Sequence, residues 1–290
     1  MIGSNKMDSI TENLRGWISG LSNDDYHTGP GISSSRIKSY LSKVPAAIHY
    51  ELTHPNPNLP EFFKIGTAFH VAMLETPDFE NQIAVSPAFD RRTKKGKADY
   101  MEFMYENAHK TVIDEIGLEQ VLGMAESVRN HPKAAALLES SLNEQSIYWE
   151  HESGELLKCR PDALSRAYPL IVDLKTCTDA SESGMLKAVD RFKYNLSAAM
   201  YLQGVNQCSE ILQHVGIEQY QGFVLICVER EPPYCCAVYE IDPSYLDLGL
   251  VQMEIGIKRI IEARENDYPG YPTAIRVLSP PPWADRLTAI

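Results

Sequence analysis

The stretch Leu170-Ile171-Val172-Asp173-Leu174-Lys175-Thr176 constrains this chain more than any other. It reads as an apolar strand that carries two charges in its middle. Side chains at i and i+2 of a strand share a face, so Asp173 and Lys175 project together. Just upstream, Arg160-Pro161-Asp162-Ala163-Leu164 places another Asp directly after an apolar strand. Two carboxylates that converge in this way suit a hard divalent cation such as Mg²⁺, which prefers oxygen ligands. The adjacent lysine can hold or deprotonate a water, or neutralise a developing negative charge. Such a set can hydrolyse a phosphodiester. The plain alternative is a pair of strand-end charges at a solvated edge. The order strand, Pro-Asp, short turn, strand with Asp-x-Lys, then helix favours the first reading.

The periodicity predicts helices before this region and a mixed sheet around it. A serine-capped helix begins at Ser33-Ser34-Ser35, with Pro45 near its end, and a second runs over about 61–74 with Phe62, Ile65, Phe69 and Met73 on one stripe. Further helical blocks are expected over about 97–115 and 119–140, the latter broken near His131-Pro132. A hairpin over 145–160 turns at Ser153-Gly154. The strand 170–176, a helix over 182–205, strands over 221–229 and 234–241, and a long helix over 243–266 follow. The fold class is α/β: a mixed core with a helical N-terminal half wrapped around it. Residues 1–30 are expected to form a loosely ordered leader. Residues 31–268 are expected to be one domain, helical over 31–140 and β-rich over 141–268. Residues 269–290 are expected to be an extended Pro-rich tail that docks on a neighbour.

The formal net charge of −12 over 290 residues argues against general affinity for nucleic acid. A site that handles phosphodiesters must find its positive charge locally. Arg91-Arg92-Thr93-Lys94-Lys95-Gly96-Lys97 offers that, either as a phosphate-gripping loop or as an ordinary solvated one. The N-terminal stretch lacks the apolar segment of a secretory signal, and no run reaches the roughly 18–20 apolar residues that span a bilayer. The cysteines, Cys159, Cys177, Cys208, Cys227, Cys235 and Cys236, form no Cys-x-x-Cys pair. They read as reduced thiols of a cytosolic protein, and their spacing gives an iron–sulfur cluster no support.

His70 lies on the helix before the basic stretch, in Gly66-Thr67-Ala68-Phe69-His70. It is either a half-buried core histidine or a metal ligand supplied by an N-terminal helix. The plain reading of Tyr201 is core packing. Glu150, on the first hairpin strand, has a facing that the sequence does not give and is left out of the site.

Pro161-Asp162 with Asp173-Leu174-Lys175 resembles the PD-(D/E)XK nuclease superfamily, whose restriction-endonuclease-like core is a mixed central sheet flanked by helices. Gly66-Thr67-Ala68-x-His70, the basic stretch and these two elements, in this order, resemble the exonuclease VIII (RecE-type) family of phage and prophage recombination exonucleases, over roughly residues 28–265. The resemblance implies that His70, Asp162 and Asp173, with the backbone carbonyl of Leu174, hold Mg²⁺ (Mn²⁺ as a substitute). It implies that Lys175 assists the attacking water. It also implies a Gln-x-x-x-Tyr helix above the site. Here Tyr201 fits, but Ser197 stands where Gln is expected, so that contact is lost, bridged by water or supplied by Asn195. In most superfamily members a Glu occupies the place of His70.

The expected activity is metal-dependent 5′-to-3′ digestion of linear double-stranded DNA in a bacterial cytoplasm. Arg91, Arg92, Lys94, Lys95 and Lys97 would grip the backbone without reading bases. The resemblance further implies a ring-shaped homo-oligomer and a single-strand annealing protein as partner, with no membrane. A structure-specific or single-strand endonuclease, a silent DNA-end-binding subunit and a hydrolase of another substrate class remain as alternatives.

Overall fold

The apolar octet Leu170–Cys177 is the middle strand of a five-stranded sheet in the computed structural model, which describes residues 14–54 and 60–280. In chain order the elements are β1 (Gly16–Ile18), α1 (Asn23–Thr28), α2 (Ser34–Ser42), α3 (Pro45–Thr53), α4 (Glu61–Leu74), a 3-10 turn (Thr76–Asp78), α5 (Phe79–Gln82), β2 (Ile83–Ser86), α6 (Lys94–Glu106), β3 (Thr111–Asp114), α7 (Glu115–Asn130), α8 (Pro132–Leu138), β4 (Leu142–Asn143), β5 (Ser146–Glu150), β6 (Leu156–Cys159), β7 (Ala163–Leu164), β8 (Leu170–Cys177), α9 (Glu182–Phe192), α10 (Tyr194–Gln207), α11 (Ser209–Val215), β9 (Gly222–Glu229), β10 (Cys236–Glu240) and α12 (Pro243–Glu265).

The main sheet runs β10-β9-β8-β7-β4, with β8 and β9 parallel and the other pairs antiparallel. Val172 and Leu174 of β8, with Val224, Ile226 and Val228 of β9, face a core closed by Ile65 and Phe69 of α4 and Met124 and Val128 of α7. Ile171, Phe223 and Leu225 face the opposite core, closed by Leu196 and Met200 of α10 and Met253 and Ile257 of α12. Burial on both faces explains why β8 and β9 read as near-continuous apolar runs rather than alternating ones. The expected α/β fold with a mixed sheet is the fold observed.

The hairpin β5–β6 forms as expected, but in a separate three-stranded sheet whose third strand is β1. That pairing corrects the expectation of a loose leader for residues 16–28. Ser22 caps α1, Tyr26 is buried, and Lys158 of β6 donates to the carbonyls of Tyr26 and Gly29. Arg160 donates to Asn23 Oδ1 and Leu21 O at 2.8 Å each and stacks over the Tyr26 ring. Lys158 and Arg160, at the end of this hairpin, thus tie residues 21–29 down. Residues 1–13 lie outside the described residues, as do 281–290 of the tail. Where the tail leaves the fold, Pro269 O accepts from Ala46 N, and the described residues beyond it are exposed.

Three helix expectations also change. Pro45 opens α3 rather than closing α2, since proline fits the first helical position. The block expected over 97–115 stops at Glu106, and Thr111–Asp114 pairs with β2 as a parallel strand, in keeping with its β-branched run Thr-Val-Ile. The helix expected over 182–205 breaks at Lys193, whose φ of 52° separates α9 from α10. No helix among the described residues is long and apolar enough to cross a membrane.

α10 sits directly on α12. A Cβ at Gly249 would lie 2.4 Å from Asn195 O and 2.9 Å from Ala199 Cβ. Gly249→Ala is therefore expected to destabilise by about 1–3 kcal/mol through overpacking, despite the roughly 1 kcal/mol that alanine gains in a helix. Urea unfolding checks this; an unchanged or raised midpoint would show that the two helices can part freely.

Candidate active site

The site forms where a short strand runs out. β7 pairs with β8 only at Ile171 and Val172, so its cover of that edge ends just before Asp173. Asp162, immediately before β7, takes over the next backbone donor: Leu174 N donates to Asp162 Oδ2 at 2.6 Å. Asp162 and Asp173 are both buried, 8% and 5% exposed. Burial, then the charge of Asp173, pushes Asp162 up to about 6, against the opposing pull of His70, Lys175 and the Leu174 N–H.

His70, on the third turn of α4, reaches this carboxylate from the other side, with Nδ1 3.6 Å from Asp162 Oδ2. A third group joins them. Glu144 lies between β4 and β5 in a left-handed conformation, φ 52°, and its N–H donates to Asp162 O at 3.1 Å. One ligand atom each of His70, Glu144 and Asp162 lies within 4.8 Å of the others. Burial, followed by the charges of Asp162 and Glu75, pushes Glu144 up to about 9. Only context beyond the sequence reveals Glu144: its place follows from the β4–β7 register, Asn143 opposite Ala163, and from a backbone turn that β-propensity does not encode.

Asp173 and Lys175 share a face as the strand alternation requires, and they form an ion pair. Lys175 Nζ also donates to Leu174 O at 3.1 Å and lies 5.4 Å from the centroid of the Tyr194 ring. Burial works against its charge, yet the carboxylates of Asp173 and Asp162 outweigh it and hold Lys175 above the usual lysine range. The side chain is therefore an ammonium donor, suited to hold a water or stabilise negative charge rather than to take up a proton.

The description of a PDDEXK-like domain of unknown function, DUF3799, fits residues 33–275. The chain belongs to this PD-(D/E)XK-like family. Its fold also matches a crystal structure from Eubacterium rectale whose protein carries the provisional description of an exonuclease. That match has a TM-score of 0.61 at 15% identity, over 94% of this chain and 98% of the other. A second solved chain aligns over 86% of this chain and 82% of its own at 13% identity, with a TM-score of 0.31 that adds nothing to the argument. No curated protein matches.

Within this PD-(D/E)XK-like chain, the cluster fits a divalent cation by the chemistry of its donors. Two of its three members are carboxylates whose charge the site alone does not neutralise, as their upward shifts record. A hard cation beside them would reverse that balance. His70, Asp162 and Glu144 are the residues that would hold it, with Asp173 and Leu174 O adjacent along β8.

The remaining expected residues fall in two places. Tyr201 lies on α10 against Phe223, and Ser197 of the same helix donates from Oγ to Ser34 Oγ at 3.1 Å. Asn195 does not substitute for the expected Gln. Its amide donates away from the site, to Gln252 Oε1 and Tyr245 O of α12. Arg91, Arg92, Lys94, Lys95 and Lys97 are exposed around the start of α6. There Thr93 caps the helix, Arg92 pairs with Asp90, Lys95 with Asp99, and Arg91 lies over Tyr100. Glu150 is exposed and pairs with Arg15, apart from the cluster.

Proposed function

We propose that this chain is a divalent-cation-dependent exodeoxyribonuclease of the exonuclease VIII type, shortening linear double-stranded DNA 5′ to 3′ to expose 3′ single strands for annealing. The observation that carries this reading is the meeting of His70, Glu144 and Asp162, from three separate segments, beside the Asp173–Lys175 pair. In this reading His70, Asp162, Asp173, Glu144 and the carbonyl of Leu174 hold Mg²⁺, with Mn²⁺ as a substitute. Bound there, the cation supplies Lewis-acid stabilisation of phosphoryl charge and a lowered pKa for water. The protein's own groups do the rest. The Leu174 N–H fixes Asp162. The Lys175 ammonium orients the attacking water and donates to developing negative charge. Tyr201, packed on Phe223, lines the wall.

Arg91, Arg92, Lys94, Lys95 and Lys97 hold the phosphate backbone, and their position at a helix start adds aligned N–H groups to their charge. A homo-oligomeric ring with these residues inside and acidic faces outside reconciles DNA binding with a net charge of −12. A single-strand annealing recombinase is the partner for the exposed strand, in the cytoplasm of a bacterial host.

The test is digestion with Mg²⁺ of linear duplex and of a covalently closed circle, with end-labelled strands. Loss of the linear duplex from its 5′ ends, with the circle spared, is expected. Cutting of the circle would replace the reading by an endonuclease. DNA binding without any cleavage would replace it by a silent end-binding subunit.

A further inference from the structure

The site has two walls. α4 brings His70 to one side, and α2 meets α10 on the other. Ser34, the first residue of α2, accepts from Ser197 of α10. One turn further along α2, Lys38 faces Tyr194, the first residue of α10. Its Nζ lies 5.6 Å from the Tyr194 ring centroid, and Lys175 Nζ lies 5.4 Å from the same centroid. Two ammonium groups therefore share one aromatic ring beside the Asp173–Lys175 pair.

They differ in one respect. Lys175 has Asp173 as its ion-pair partner, whereas no ion pair to Lys38 occurs among the described residues. Lys38 is half-buried, and burial, then the like charge of Lys175, pushes it down to about 8. A half-buried cation that repels its neighbour and feels only the weaker pull of Asp173, with which it makes no ion pair, works against the stability of the fold. An anion entering the cleft would reverse that, because it would meet both ammonium groups at once.

We infer that Lys38 is a phosphate-binding residue of the site, holding a non-bridging oxygen of the scissile phosphodiester from the wall opposite His70. The inference rests on the nuclease reading and extends it. Where a Gln was expected on α10, the chain has the short Ser197, already engaged with Ser34, and Lys38 supplies a polar contact to that side of the cleft. The aromatic ring that the lysines share attracts both without neutralising either.

The test compares the full-length protein with Lys38→Met and Lys38→Arg. Anisotropy with a short 5′-phosphorylated duplex in EDTA gives affinity and its salt dependence without cleavage. Digestion of the same duplex with Mg²⁺ gives the rate. Lys38→Met is expected to lower digestion at limiting DNA by about 10–100-fold, the range for a hydrogen bond to a charged group. It should also make the slope of log affinity against log salt shallower by roughly one. Lys38→Arg should restore most of both. The melting temperature of Lys38→Met should be unchanged or higher, which a merely structural lysine would not give. Wild-type protein that binds and digests DNA, with Lys38→Met equal to it in affinity, salt slope and rate, would overturn the assignment and leave the nuclease reading intact. Wild-type protein that binds no DNA would overturn both. If wild type binds without cutting, the affinity and salt slope of Lys38→Met decide.

Discussion

Lys175→Met is expected to slow Mg²⁺-dependent digestion of linear duplex by about 10²–10⁴-fold, the range for losing a positioned proton-handling or charge-stabilising group. Methionine keeps the length and much of the shape of the side chain but removes the ammonium that Asp173 and Leu174 O now share. If Lys175 acts on charge that develops during the reaction, the loss falls on kcat with KM little changed. The substitution also leaves the buried Asp173 without its partner. Metal-free protein should therefore melt earlier, and added Mg²⁺ should recover part of the difference, because a cation can replace the lost charge. Single-turnover digestion separates chemistry from binding. A variant within about tenfold of wild type would remove Lys175 from the chemistry. A pure KM effect would make it a binding group instead.

The contrast between Lys175 and Glu144 shows what the sequence could and could not reveal. Strand alternation is local, so the shared face of Asp173 and Lys175 followed from their spacing alone, and the structure has them paired. The helix over 61–74 and the terminal helix were equally legible, because each carries its own apolar period. Glu144 was not. Its approach to Asp162 depends on a two-residue pairing between β4 and β7 and on one left-handed residue, neither of which leaves a period in the chain. Lys38 was hidden for the same reason: it reaches the cleft only because α2 crosses α10 at Ser34 and Ser197, more than a hundred and sixty positions apart. The leader misled in the opposite sense. Residues 16–28 have no strong pattern of their own, and what holds them is the pairing of β1 with β5 and a set of bonds from the distant Lys158 and Arg160. Local charge and alternation were readable; convergence across registers was not.

Glu144→Gln is expected to change how stability responds to pH and to metal. In the folded, metal-free protein Glu144 titrates near 9 because burial and then Asp162 and Glu75 oppose its charge. In the unfolded chain it titrates near the ordinary glutamate value. Between those two values the folded state holds a proton that the unfolded state has released, so stability falls as pH rises. The ceiling for one such group is about 1.4 kcal/mol per pH unit. Glutamine is neutral throughout and removes that slope. From about pH 6.5 to pH 8, wild type in EDTA should therefore lose up to roughly 2 kcal/mol relative to Glu144→Gln, and taking the difference cancels the titrating groups that do not interact with Glu144. A divalent cation bound by the ionised carboxylate displaces the proton, so the stabilisation of wild type by Mg²⁺ or Mn²⁺ should grow with pH. Glu144→Gln should lose most of that gain. Denaturant melts at the two pH values, with EDTA and with Mn²⁺, read both effects. Parallel pH responses of wild type and variant in EDTA would show that Glu144 is already ionised in the fold. An undiminished Mn²⁺ gain in the variant would show that His70 and Asp162, with Asp173, hold the cation without it.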